Sequence, residues 1–210
     1  PQLAFAASEI KSAVATLDAE PHGTILLTVS NRNLPAGFEI VSEANTVRIT
    51  GANPTEAMYG GLEVAEQLRL HRDIWQPGTI HRKPRIARRG IKFNIPLDAR
   101  TPSYDDTGDA AQRNIAEMWH LEFWTAFLDQ MARDRYNVLT LWNPHPFPSM
   151  ICSETFPDAA LDDVCVTTLK PNGRENEWGE PQLVSSNVVA NLKVVKRMTI
   201  EEKIRFWRTV

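Results

Sequence analysis

Residues 89–147 constrain the chain more than any other stretch. They read as a strand at 89–95, a polar loop, a long helix, and a second strand at 137–142 that ends in Asn143, Pro144, His145, Pro146 and Phe147. A strand, a helix of about twenty residues and another strand make the unit from which parallel sheets are built. The predicted class is therefore α/β. Both strands run into polar and aromatic residues unsuited to a core. In a (β/α) barrel the carboxyl ends of the strands carry the chemistry, so this stretch predicts the opening of a TIM barrel. The chain is expected to stop before that barrel is complete.

Upstream, Leu3, Ala6, Ala7, Ile10, Val14 and Leu17 recur at helical spacing over residues 3–19. A β-rich run follows at 24–29, and two more at 37–41 and 46–50 flank a hairpin signature at 42–45. Asn53 is a predicted N-cap with Pro54 at the first helical position. The helix they start places Ala57, Leu62, Val64, Ala65, Leu68 and Leu70 toward a core. Gly60 and Gly61 lie inside it, each costing about 1 kcal/mol against alanine. Their presence predicts a close approach of the sheet or of the following domain. The order gives a small α/β domain over residues 1–74, a linker at 75–84 with two prolines and a glycine, and the barrel start at 85–210.

Within the barrel part, residues 96–109 are rich in Asp, Pro, Ser and Gly and read as loop. Residues 110–135 read as one amphipathic helix with Ile115, Met118, Trp119, Phe123, Phe127 and Met131 on its apolar stripe. The segment from 148 to 196 shows no sustained periodicity. Thr199 and Glu202 form a predicted capping box for a last helix, whose apolar stripe is expected to lack cover.

Several phrases resemble a known group of enzymes. Ile49-Thr50-Gly51-Ala52-Asn53, followed by Ala57-Met58-Tyr59-Gly60-Gly61-Leu62, looks like the small domain before the barrel in glycoside hydrolases of families 20, 67 and 84. Pro84 through Arg89-Gly90 resembles the Pro-x-x-x-x-Arg-Gly phrase that leads into their first barrel strand. Residues 131–139 resemble their first barrel helix running into the second strand. The resemblance implies a hexosaminidase domain-2-like unit, then the first βα units of the catalytic barrel. Family 20 enzymes place an Asp and a sugar-gripping Arg past the first strand, where Asn94 and Leu97 stand here, with Asp98 and Arg100 slightly later. Their His-Trp-His phrase is replaced by Leu141-Trp142-Asn143-Pro144-His145. These departures favour the α-glucuronidase-like part of the group over a hexosamine substrate.

The expected function is thus the amino-terminal portion of a glycoside hydrolase acting on oligo- or polysaccharides. The alternative is a noncatalytic carbohydrate-binding or interaction module. Such hydrolysis needs two carboxyls, or one carboxyl and a substrate group. The resemblance places the acid beyond Val210, so the catalytic residues are unassigned. Asn94, Asp98, Arg100, Trp142, Asn143 and His145 are the predicted substrate-binding residues, because amide, carboxylate, guanidinium and indole groups suit sugar hydroxyls and ring faces. No cofactor motif, metal-ligand cluster or phosphate-cradling loop is expected. Net charge is −3 with no long basic run, which argues against nucleic acid. No apolar stretch reaches the roughly 20 residues of a membrane span. Cys152 and Cys165 are expected to be free. The resemblance also implies work outside the cytoplasm, in the periplasm or extracellular space.

Overall fold

Residues 1–18, 23–30, 36–101, 109–143, 146–169 and 186–210 are described by the structure, a computed structural model. They form a mixed α/β arrangement of two compact units: Pro1–Arg89 with Ala132–Arg135, and Gly90–Met131 with Tyr136–Val210.

In the first unit, four strands make one sheet: β1 (Thr24–Val29), β2 (Phe38–Glu43), β3 (Thr46–Gly51) and β4 (Gly78–Arg82), in the order β1-β3-β2-β4. β1 and β3 run parallel, while β2 is antiparallel to both β3 and β4. Ile40, Val47 and Ile49 bury one face of this sheet against Ile10 and Ala13 of helix α1 (Gln2–Val14) and Val64, Ala65 and Leu68 of helix α2 (Pro54–Arg69). Asn53 caps α2 by accepting the Glu56 N–H at 3.0 Å, and Pro54 occupies the first turn. α1 stops at Val14, short of the expected residue 19.

Residues 75–84 are more than the expected linker. Pro77 and Pro84 bracket β4, whose Ile80 stands opposite Ile40 of β2 and completes that strand's second row of backbone hydrogen bonds. A strand with a free edge is a liability, and five residues suffice to cover it.

The glycine pair in α2 has a packing cause at each position. A Cβ on Gly60 would stand 2.6 Å from Cγ2 of Ile49 in the sheet, and one on Gly61 would stand 2.8 Å from Cβ of Ala6 in α1. One glycine admits the strand and the other admits the neighbouring helix. Glu9 of α1 is buried and accepts from Arg69 and Arg133, each at 2.8 Å. The hydrogen bond from Arg133, opposed by burial and reinforced by Arg69, holds the Glu9 carboxyl below its ordinary range.

The second unit is built on a parallel pair, β5 (Gly90–Asn94) and β6 (Val138–Trp142), in register from Gly90 opposite Val138 to Asn94 opposite Trp142. The crossover differs from the single helix expected over 110–135. It is two helices, α3 (Asp109–Glu117) and α4 (Leu121–Arg133). The break satisfies the two buried indoles. Trp119 Nε1 donates to the Leu97 carbonyl, and Trp124 Nε1 donates to the Met118 carbonyl, both at 2.9 Å. Buried polar groups need such partners, and an unbroken helix would hold the Met118 carbonyl in its own ladder.

The described residues of the segment 148–196 carry elements that its sequence does not announce. It holds the end of a short helix α5 (Phe147–Met150), a 3-10 turn (Pro157–Ala159), strands β7 (Val164–Thr167) and β8 (Leu192–Lys196) in an antiparallel pair, and helix α6 (Ser186–Ala190). The last helix, α7 (Ile200–Thr209), carries the full predicted capping box of Thr199 and Glu202. Its apolar stripe does have cover. Phe206 and Trp207 pack on Trp119 at ring-centroid distances of 5.5 and 5.6 Å, and Trp207 on Trp124 at 5.4 Å. Among the described residues no helix is long and apolar enough to cross a membrane.

Replacing Gly61 with alanine tests the helix contact. Overpacking costs about 1–3 kcal/mol, against a gain of about 1 kcal/mol in helix propensity. Urea unfolding of Gly61→Ala should show a net loss of stability of up to about 2 kcal/mol. A more stable variant would mean that α1 does not press on α2 at this point.

Candidate functional site

The parallel pair has two chemically different faces. Phe93 of β5 packs on Phe123, Trp124 and Phe127 of α4, with centroid separations of 6.1, 6.0 and 5.2 Å, and Leu139 and Leu141 of β6 join the same core. Side chains alternate along a strand. Lys92, Asn94, Thr140 and Trp142 therefore line the other face, and all four are exposed or half-buried. The Lys92 ammonium sits 4.7 Å from the centre of the Trp142 ring. This face offers an amide and an indole at the carboxyl end of the pair, with an ammonium and a hydroxyl midway along it. That set can bind a polyhydroxylated ring through hydrogen bonds and stacking.

Of the predicted binding residues, Asn94 and Trp142 are brought together here as register partners. Asn143 follows at once, buried to 9% exposure, and its Nδ2 donates to the Ile95 carbonyl at 2.7 Å. The Ile95 N–H in turn donates to the Trp142 carbonyl at 2.9 Å. Asn143 thus continues the pairing of the two strands past their ends. His145 lies outside the described residues.

Asp98 and Arg100 belong to a separate cluster. The Asp98 side chain is wholly buried, and its carboxylate is gripped by Arg100 through Nε at 2.7 Å and Nη2 at 2.8 Å. The Arg100 backbone N–H and the Cys165 N–H of β7 also donate to it, each at 2.9 Å. Arg100 reaches on to the carbonyls of Asp162 and Asp163. The geometry makes this pair a fastening between the loop after β5 and the segment leading into β7. The Asp98 hydrogen bond pushes the Arg100 pKa up despite burial, whereas burial, with Asp98 adding to it, pushes the Cys165 thiol up.

Lys203 of α7 closes the cluster from the other side. It is fully buried, donates to the carbonyls of Leu161 and Asp163, and its ammonium lies 5.3 Å from the Trp119 ring centre. Burial brings its pKa down to about 8, in part offset by the negative charge of Asp98. Cys152 and Cys165 are both free thiols, the first exposed and the second buried. Among the described residues no group of three or more His, Cys, Asp or Glu is placed to hold a metal ion.

Sequence reasoning missed Lys92 and Thr140, although the period-two alternation in both strands puts them beside Asn94 and Trp142. It also missed Lys203, which on an amphipathic helix reads as a surface residue.

No family model matches the chain, and no curated protein matches it. Among solved structures, it is similar to a GH138 enzyme targeting pectin rhamnogalacturonan II, with a TM-score of 0.58 and 23% identity. The match covers 74% of this chain and 19% of that one. At that identity the likeness is one of fold: the chain shares the fold of part of a glycoside hydrolase. The matched enzyme is a member of family 138, which differs from the families 20, 67 and 84 that the sequence phrases resemble.

The depressed Lys203 pKa fixes a pH dependence. Between about 8 and 10.5 the unfolded chain holds a proton on this lysine that the folded chain has lost, so stability rises with pH across that window. The slope of this contribution is at most about 1.4 kcal/mol per unit. The Cys165 thiol, with its raised pKa, acts in the opposite direction, so the lysine is isolated by comparing variants. Chemical unfolding of wild type and Lys203→Met from pH 7.5 to 10.5 should give a stability difference that widens in favour of wild type as pH rises. A constant difference would show that Lys203 stays charged in its burial site.

Proposed function

We propose that the chain is the amino-terminal part of a glycoside hydrolase, with the second unit forming the first βα units of its catalytic (β/α) barrel. The observation that carries this reading is the parallel β5–β6 pair joined by a helical crossover, with apolar residues on the helix side and Lys92, Asn94, Thr140 and Trp142 on the other. In a barrel, the face turned from the helices points inward, and the carboxyl ends of the strands bound the active site. The fold likeness to part of a glycoside hydrolase supports the same conclusion.

On this reading Asn94 and Trp142, with Asn143 and His145 just beyond, form one wall of a sugar site. Asp98 and Arg100 hold that wall in place. The substrate is a complex glycan. An α-glucuronidase-like specificity is the reading that the sequence phrases favour, and the matched enzyme targets pectin rhamnogalacturonan II. The catalytic carboxyls come from later strands, and the enzyme works outside the cytoplasm.

The test is turnover of aryl glycosides, glucuronides and pectic oligosaccharides by the full-length gene product, with His145→Ala alongside. Loss of a polar partner for a sugar hydroxyl costs about 1–3 kcal/mol. The variant should therefore be slower by about tenfold or more, with an unchanged melting temperature. Glycan binding without turnover of any of these substrates would leave a noncatalytic carbohydrate-binding module and overturn the enzyme reading.

A further inference from the structure

The overall charge of −3 conceals a local excess of cations at the end of the first unit. Residues 82–89 include Arg82, Lys83, Arg85, Arg88 and Arg89. Arg89 is committed: its guanidinium donates to the carbonyls of Arg135 and Ile86 and lies 5.5 Å from the Tyr59 ring centre. Arg82, Lys83, Arg85 and Arg88 are exposed, and none forms an ion pair among the described residues. Four exposed basic side chains within residues 82–88 make a local positive patch on this surface.

These cations border a cavity. A hollow of about 280 Å³ is lined by Ala36, Gly37, Phe38, Glu39, His81, Arg82 and Lys83. Its size lies near the lower end of the range for small-molecule sites, about 300–1,000 Å³. The backbone builds its wall. Gly37 has φ +122° and comes so close to β4 that a Cβ there would stand 2.1 Å from the Arg82 carbonyl oxygen. Cross-strand partners share a face of a sheet. Phe38 stands opposite Arg82, and Glu39 stands opposite His81. Phe38 and Arg82 thus stand on the same face of the sheet, where the Phe38 ring also packs beside Gly60 of α2, while Glu39 and His81, 3.4 Å apart, pair on the alternate face.

We propose that this cavity is a binding subsite for a uronate unit of an acidic polysaccharide. The ring face of the sugar lies against Phe38, its carboxylate pairs with Arg82 and Lys83, and Arg85 and Arg88 attract the neighbouring uronates. A guanidinium matches a carboxylate with two parallel hydrogen bonds, and the aromatic surface of Phe38 in the same hollow favours a sugar, whose ring has an apolar face, over a bare phosphate. That the anion is a sugar rests on the glycosidase reading. The site itself needs no catalytic strand, and it would hold an anionic polysaccharide on the small domain while another part of that polysaccharide is processed.

The experiment is a binding titration of the 210-residue chain with galacturonic-acid oligomers, with the same oligomers fully methyl-esterified, and with single-stranded DNA of matched charge. The acidic oligomers should bind with an affinity that falls as salt is raised, and the neutral esters should not bind. Arg82→Glu combined with Lys83→Glu should weaken binding of the acid by about ten- to a hundredfold, the range for loss of a charged partner. Arg82→Gln, a milder change at an exposed side chain, should weaken it severalfold with an unchanged melting temperature. Equal binding of the esters, undiminished binding by both variants, or DNA bound as tightly as the uronates would each overturn the proposal. Its failure is distinguishable from failure of the enzyme reading. Turnover by the full-length protein that survives the loss of binding here removes only this subsite, and uronate binding without turnover removes only the enzyme.

Discussion

The second unit depends on one buried carboxylate. Asp98 lies just beyond the end of the first strand of the parallel pair, at 0% exposure, and four N–H groups converge on it from Arg100 and from Cys165. A charge taken out of water must be paired and fully hydrogen-bonded or it costs several kcal/mol. Arg100 answers that need, and it is itself held by the carbonyls of Asp162 and Asp163. The consequence is positional. The loop leaving β5 is tied to β7, and through Asp163 to Lys203 on α7, so three segments far apart in sequence share one polar centre.

Around that centre the aromatic residues divide the labour of burial. Phe93, Phe123, Trp124 and Phe127 seal β5 against α4, while Trp119, Phe206 and Trp207 bring α7 onto the break between α3 and α4. Because Phe93, Leu139 and Leu141 are spent on that side, Lys92, Asn94, Thr140 and Trp142 are left on the other with Val138. The amide of Asn94, the indole of Trp142 and the ammonium of Lys92 are therefore a by-product of alternation and of which face the helices cover. Geometry that stabilises one side of the pair leaves a polar and aromatic surface on the opposite side.

The elements with strong local signals were legible in the sequence. The capped start of α2 at Asn53 and Pro54, the capping box at Thr199 and Glu202, the hairpin and the two strands of the parallel pair are where pattern and turn chemistry put them. The close approach implied by Gly60 and Gly61 is also present, against Ile49 and Ala6. What was not legible depends on distant partners. The break at residues 118–120 has no glycine or proline to mark it, since its cause is the pair of indole donors that find Leu97 and Met118. β4 is a strand through its antiparallel pairing with β2, from Gly78 opposite Ser42 to Arg82 opposite Phe38. β7 and β8 are short and flank residues 170–185, so no periodicity announces them. At the candidate site, residue type identified Asp98 and Arg100 as sugar binders, but only the fold reveals that they bind each other.

The most direct test of this account is amide hydrogen exchange at Cys165 in wild type and in Asp98→Ala. Removing one partner of a buried ion pair costs about 3–5 kcal/mol, and the partial exposure of Arg100, 24% of its side chain, points to the lower end. The account predicts that protection of the Cys165 amide falls by a factor of about a hundred. Protection across β5 and α7 should weaken with it, while the sheet of the first unit keeps its own. Unchanged protection at Cys165, accompanied by loss of glycan binding alone, would contradict it and make Asp98 a ligand to the sugar.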